Sequence, residues 1–223
     1  VVGIGLNDFG DGLDEIAQGT GDDVAGDGFN NEAEETIHVL EQNVELIVNT
    51  LEEAGQATGS RPDIVLMNVP DWNAMPTTRA EGYSAQERER ISDATREAND
   101  RIAEIAADRN IPVIDMFRLM NLGDADGDGG EPFDFAGIDV TNDSSSPTAD
   151  TFPFWADSAH PGTVVQGMMA NSVLTALHDF YGHSVDDLLL SDAEILETAY
   201  EQMGMASMTP PVGTPRFTAM RDF

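Results

Sequence analysis

The sequence predicts an α/β protein with a parallel sheet, and three observations carry this prediction. Short apolar runs of strand length alternate with long stretches in which apolar residues recur at helical spacing. The run from Asp63 to Pro70 is almost continuously apolar, as in a parallel strand that is covered on both faces. The order strand, helix, strand, helix, strand, helix is typical of a domain in which helices connect parallel strands.

The first half of the chain contains two predicted strands separated by a helix. Residues Val1 to Leu6 form the first strand. The acidic, glycine-rich segment from Asp8 to Asn30 is predicted to be an exposed loop, because it is too polar to pack. From Ile37 to Leu51, apolar residues at helical spacing predict a long amphipathic helix, which leads into the second strand at Asp63 to Pro70.

The second half begins with Ser84 and Glu87, which match a capping box and predict the start of another long helix. The inner face of this helix would run from Ile91 to Ile105. The third predicted strand is Ile111 to Asp115. The polar segment 123–156 is rich in Asp, Gly, Ser and Pro, and it is predicted to be an insertion-like loop.

Two predicted helices close the chain. The first starts near Pro161, and the second runs from Ser191 to Met203 with its own cap formed by Ser191 and Glu194. The residues that the first helix is expected to bury are Val165, Met168, Met169, Val173, Leu177 and Phe180. We assign residues 1–182 to one domain, and residues 183–223 to a C-terminal helix and a poorly ordered tail.

The charge of the chain limits its partners. Asp and Glu number 42 against ten basic residues, all of them Arg, which gives a formal net charge of −32. Such a surface repels nucleic acid phosphates and anionic lipid head groups, and no apolar run reaches the length of about 18 residues that a membrane span needs. Because salt screens repulsion between carboxylates, we expect a salt-adapted source or secretion into saline surroundings; the alternative is simply a very soluble acidic protein. The absence of Cys excludes disulfides, thiolate metal sites and a cysteine nucleophile.

Two short motifs near opposite ends of the sequence indicate acyl-transfer chemistry. Asp157 stands three residues before His160, just ahead of a predicted helix. A carboxylate so placed can orient the imidazole and polarise it as a general base. Asn7 ends the first predicted strand, where its side-chain amide can donate a hydrogen bond to an oxyanion. Reactive residues in parallel sheets gather at the carboxyl ends of strands, so this position suits a site.

These motifs resemble two blocks of the GDSL/SGNH hydrolases. The sequence Gly5-Leu6-Asn7-Asp8 resembles the Gly-x-Asn-Asp block, and the segment Asp157 to Pro161 resembles the terminal Asp-x-x-His block. The resemblance covers roughly residues 1–182. It implies the flavodoxin-like SGNH fold, a three-layer α/β/α sandwich, and a lipase-like or esterase activity that requires no cofactor.

The same resemblance implies a role for each matching residue. His160 would act as the general base, Asp157 would orient it, and Asn7 with Gly5 would form the oxyanion hole. The substrate would be a small-molecule, lipid or carbohydrate ester. The Gly-Asp-Ser block that carries the nucleophilic serine of the family is absent, and so is the block that supplies a glycine amide. We expect both upstream of Val1, so the chain would be an N-terminally truncated domain and inactive alone.

An acidic segment offers a second kind of site. Asp124, Asp126 and Asp128 alternate with small residues as in the first half of a calcium loop, but Phe135 stands where that loop has its last carboxylate. Calcium binding and a solvated acidic loop are both open interpretations. The alternative function is therefore a non-catalytic, calcium-dependent binding or adhesive module on an α/β scaffold.

Two tryptophans flank the predicted site loops. Trp72 follows the second strand, and Trp155 lies just ahead of Asp157. Each ring could form an aromatic wall that binds an acyl chain or a sugar ring, or could pack within its own loop.

Overall fold

The computed structural model describes residues 1–3, 6–19, 32–122, 132–143, 148, 151–154, 156, 160–202 and 204, with the backbone alone at 6–8 and 32. The helices are α1 (Leu6–Asp11), α2 (Leu13–Gln18), α3 (Glu32–Thr58), α4 (Pro76–Ala80), α5 (Ala85–Arg109), α6 (Met116–Met120), α7 (Thr163–Tyr181) and α8 (Asp192–Gln202), with a 3₁₀ turn at Trp72–Ala74. The strands are β1 (Val2–Gly3), β2 (Leu66–Met67), β3 (Val113–Ile114), β4 (Phe133–Phe135), β5 (Ile138–Thr141) and β6 (Thr151–Pro153). The protein is thus of the mixed α/β class that the sequence predicts.

The chain divides into two compact units. The first comprises residues 1–73 and 82–118, and the second comprises residues 74–81 and 119–223. Helices α7 and α8, which lie on either side of residue 182, both belong to the second unit and pack against each other. The predicted tail after residue 204 lies outside the described residues.

A parallel sheet of three strands, in the order β1-β2-β3, lies in the first unit. Val2 pairs with Leu66, and Leu66 pairs with Val113. Each strand is shorter than the apolar run around it, but Ile64, Val65 and Leu66 are buried as a covered strand requires. The three predicted strands are therefore present, in shorter form.

The core of the first unit consists of the sheet and the helices α2, α3 and α5. The predicted amphipathic helix is confirmed as α3, which buries Ile37, Leu40, Val44 and Val48 at helical spacing. The buried positions of α5 include Ile91, Ala94, Ala98, Ile102 and Ile105, as predicted.

The predicted capping box of α5 is also confirmed. The backbone N–H of Glu87 donates to Ser84 Oγ at 3.3 Å, and the backbone N–H of Ser84 donates to Glu87 Oε2 at 2.7 Å. Asn110 ends the helix in the left-handed conformation, with φ of 53°.

The predicted loop from Asp8 to Asn30 is wrong over its first part, where the structure has α1 and α2. Leu13, Ile16 and Ala17 follow the spacing of one helix face and are buried together with Phe9. Gly19 ends α2 at φ of 64°. A single apolar face of one or two turns therefore holds this acidic segment on the core, although its composition favours a loop. Residues 20–31 lie outside the described part of the chain.

The predicted loop over residues 123–156 is likewise wrong in its second part, because a small sheet of order β4-β5-β6 lies there in the second unit. β4 and β5 form an antiparallel hairpin around Ala136 and Gly137, both at positive φ. Buried aromatic side chains hold this sheet in place, at Phe135, Phe152 and Phe154.

The two predicted C-terminal helices are confirmed as α7 and α8. Val165 and Met168 of α7 are buried as expected, whereas Phe180 near the end of this helix is 44% exposed, so its predicted burial is wrong. Ser191 and Glu194 cap α8 through reciprocal hydrogen bonds of 3.3 and 2.7 Å. Within the described ranges, no helix combines the length and the apolar character needed to cross a membrane.

Candidate functional site

Several polar residues of the first unit lie at the carboxyl edge of the parallel sheet. Because β1, β2 and β3 run parallel, the segments that follow them start at one edge. Helix α1, with Asn7 in its first turn, follows β1; Asn68 follows β2; and Asp115 follows β3. Asn68 and Asp115 meet at this edge through a side-chain hydrogen bond.

Asn68 joins the ends of β2 and β3. Its Nδ2 donates to Asp115 Oδ1 at 3.0 Å, and its Oδ1 accepts from the backbone N–H groups of Met116 at 2.6 Å and Phe117 at 3.3 Å. Asp115 Oδ1 also accepts from the backbone N–H of Arg118 at 2.9 Å, as a helix N-cap does. Two side chains therefore satisfy three backbone donors that α6 leaves open at its start.

The loop after β2 is fastened to α5. Asn99 forms two hydrogen bonds to the backbone of Val69, one to its N–H at 2.7 Å and one to its carbonyl at 2.8 Å. The fully buried Asp71 accepts from Ser92 Oγ at 3.1 Å and from the backbone N–H of Asn73 at 3.0 Å. These contacts fix the path of residues 69–73 at the edge of the sheet.

Sequence reasoning missed Ser92, Asn99 and Asp115. A usable signal was present for the first two, since polar residues interrupt the inner face of α5 directly beside the apolar Ile91 and Ala98. Polar side chains at inward helix positions require partners, and here the partners are the loop residues.

Trp72 lies against α1. A Cβ atom added at Gly10 would stand 3.0 Å from Cη2 and 3.2 Å from Cζ2 of the indole, so the six-membered ring lies directly over this glycine. The ring is half-buried and packs against the core of the first unit. Trp72 Nε1 and Asn73 Oδ1 are buried and have no hydrogen-bond partner among the described residues.

The structure differs from the prediction at Asn7. The predicted strand Val1 to Leu6 is shorter, because β1 ends at Gly3 and α1 begins at Leu6. Asn7 therefore belongs to the first turn of a helix rather than to a strand end. Its partner Gly5 in the predicted oxyanion hole lies outside the described residues.

His160 lies in the second unit, exposed and three residues before α7. Its backbone carbonyl accepts from the N–H of Ala156 at 2.7 Å, and the N–H of Gly162 donates to the carbonyl of Phe154 at 2.6 Å. A Cβ at Gly162 would approach the carbonyl oxygen of Pro153 to 2.7 Å, so only glycine fits there. Ala156, His160 and Gly162 are thus held by backbone hydrogen bonds. Asp157 lies outside the described residues, and its pairing with His160 stays a prediction.

The calcium hypothesis also stays a prediction, because Asp124, Asp126 and Asp128 lie outside the described residues. In the part of the chain that the structure does describe, no three His, Asp or Glu side chains are close enough to hold a metal ion.

Comparison of the chain with protein-family models, with curated proteins and with solved structures finds no significant match.

Proposed function

We propose that this chain is part of an ester hydrolase that uses a Ser-His-Asp mechanism, of the kind that GDSL/SGNH hydrolases use. The observation that supports this most directly is the place of the Gly-x-Asn-Asp motif. Its residues Asn7 and Asp8 lie in α1, the helix that follows the first strand of the parallel sheet, at the carboxyl edge where Asn68 and Asp115 also lie. Catalytic groups of open α/β sheets gather at that edge.

The mechanism assigns one step to each residue. His160 would take the proton from a serine hydroxyl as the oxygen attacks the ester carbonyl carbon, and would then return it to the leaving alcohol. Asp157 would hold the imidazole in the correct tautomer and stabilise its cation. Asn7, with the backbone at Gly5, would donate hydrogen bonds to the tetrahedral oxyanion. Water would then release the acid by the same steps.

No Gly-Asp-Ser sequence occurs among these 223 residues. Under this proposal, they therefore do not supply the nucleophilic serine. The mechanism therefore requires a serine from sequence outside the segment, and the segment alone should be inactive. The proposal includes a three-layer α/β/α sandwich for the completed domain, and a salt-adapted, secreted protein that acts on a small-molecule, lipid or carbohydrate ester.

The test uses a chain that includes the Gly-Asp-Ser block and measures the release of nitrophenol from short acyl esters. His160→Ala should abolish this release. Asn7→Ala should lower kcat by about 10²–10³, the usual cost of losing one oxyanion donor. His178→Ala is the matched control, because His178 is exposed near the end of α7 and bonds to the backbone carbonyl of His183 at 2.8 Å.

Two results would overturn the proposal. One is unchanged turnover in the His160→Ala variant. The other is a chain with the Gly-Asp-Ser block that neither hydrolyses these esters nor reacts with a serine-directed phosphonate. Calcium binding by such an inactive chain would favour the binding module instead.

A further inference from the structure

We infer that Trp72 is the wall that binds the acyl chain of the ester, and so sets acyl-chain preference. This inference rests on the proposed function, and it names the substrate class as neutral esters with an apolar acyl chain.

The indole lies close to the proposed oxyanion residue along α1. Residues 7 and 10 are three positions apart in this helix, which places them on one face about 4.5 Å apart along the axis. The six-membered ring of Trp72 covers Gly10 on that face. An ester whose carbonyl oxygen faces Asn7 would therefore have the indole within one helical turn.

Hydrogen bonds fix the backbone that carries the Trp72 ring, as a side chain that discriminates between ligands requires. Asn99 binds both backbone groups of Val69, and the buried Asp71 binds Ser92 and the N–H of Asn73. Trp72 lies between Asp71 and Asn73, which this last hydrogen bond joins. Pre-organised groups lose little conformational entropy when a ligand binds, so such a ring can discriminate between ligands.

The identity of the side chain also favours a role beyond core filling. A phenylalanine would pack against the same core without a polar atom. Tryptophan instead buries Nε1 with no hydrogen-bond partner among the described residues, which is an unfavourable arrangement. What tryptophan adds is a wider apolar face, and Gly10 leaves room for it.

The charge of the protein selects neutral ligands. With a formal net charge of −32, the chain repels carboxylates, including the fatty acid that hydrolysis would release. A neutral ester carries no such penalty. The acyl chain is therefore recognised in its esterified form, and the product acid is expelled.

The test follows Trp72 fluorescence in the 223-residue chain, which needs no nucleophile to bind an ester. Trp155→Phe leaves Trp72 as the single tryptophan, since the chain has two. Titration with ethyl acetate, butyrate and hexanoate should give saturable spectral shifts. Full burial of one methylene group raises the affinity about fourfold. Because a single wall covers roughly half of the acyl chain, the half-saturation concentration should fall about twofold for each added methylene.

Two variants are matched to this test. Trp72→Phe, with Trp155 retained, should lose the shift. Gly10→Ala, in the Trp155→Phe chain, should alter the spectrum without ligand and weaken the chain-length dependence, because its methyl group would stand 3.0 Å from the indole and the ring must shift by a few tenths of an ångström. Far-ultraviolet circular dichroism checks that both variants remain folded.

The inference is overturned by a spectrum that no ester changes, or by a shift that persists in Trp72→Phe. It is equally overturned if an acetylated methyl glucoside binds at lower concentration than ethyl hexanoate, which would assign the wall to a sugar ring. Sodium hexanoate should bind more weakly than its ethyl ester at low salt. These readings are independent of the nitrophenol assay, so the proposed function and the acyl-chain wall can fail separately.

Discussion

Replacing Gly167 by alanine should destabilise the second unit, although alanine is the better helix former. Gly167 lies in α7, the helix that begins three residues after His160. A Cβ added there would stand 2.8 Å from Cγ1 and from Cγ2 of Ile195, and 3.0 Å from its Cδ1. Ile195 is a buried residue of α8, so the two helices must move apart or Ile195 must leave its rotamer.

Two opposing effects set the size of the change. A Gly→Ala replacement inside a helix stabilises by about 0.8–1 kcal/mol. Overpacking in a filled core costs about 1–3 kcal/mol, and here ordinary contact begins at 3.4 Å, well beyond the 2.8 Å of the added methyl group. We expect a net loss of about 1 kcal/mol in the free energy of unfolding.

The sign should reverse when Ile195 is shortened. Ile195→Ala removes all three atoms that the new methyl group would meet, so in that background Gly167→Ala should stabilise by about 1 kcal/mol. The interaction energy of the double-mutant cycle would then be about 2 kcal/mol. Urea unfolding at fixed molar salt measures each free energy of unfolding. If this free energy has the same slope against urea concentration in every variant, the folded and unfolded states remain comparable.

Leu196→Ala supplies the control background. Leu196 is buried in the same helix but contributes none of the atoms nearest to the added Cβ. Gly167→Ala should remain destabilising there. If the replacement stabilises the protein equally in all backgrounds, close contact between α7 and α8 does not limit residue 167, and the reasoning from distance is refuted.

Two further predictions concern the first unit and the whole chain. Ser84→Ala should cost about 0.5–2 kcal/mol by removing the cap of α5. The side-chain and backbone hydrogen bonds of Ser84 lower the pKa of Glu87 below its ordinary value of 4.5. The stabilisation tied to this lowered pKa is full above pH 4.5 and is lost as the pH falls through the lower folded-state value. Urea unfolding of the parent chain and of the Ser84→Ala variant should therefore be compared from pH 7 to pH 3. The difference between their free energies of unfolding should narrow below pH 4.5, and a difference that stays constant over this range would contradict the prediction. Separately, the melting temperature should rise as sodium chloride increases from 10 mM to 1 M, because the screening length falls from about 30 Å to about 3 Å. A melting temperature that stays flat over this range would count against salt adaptation.

Local patterns in the sequence predicted the long helices well. Ile37, Leu40, Val44 and Val48 lie on the buried face of α3, and Ser84 with Glu87 marks the start of α5. A helix closes its hydrogen bonds between residues four positions apart, and its caps involve residues three apart, so both are visible in a short window.

Composition misled the prediction where an element depends on few residues. α2 has only six residues among many acids and glycines, and its three buried side chains secure it through tertiary packing. β4 to β6 are three or four residues long, and each needs its neighbours in the sheet to form. Elements this short have little stability of their own.

The sequence by itself determined the α/β class, the long amphipathic helices with their caps and a strongly acidic surface, because each follows from composition or from spacing within a few turns. Only the tertiary structure decided that Asn68 meets Asp115 across 47 residues, and that Trp72 lies over Gly10. Contacts at such separations depend on the register and order of the strands and on helix packing, and neither motif nor periodicity encodes them.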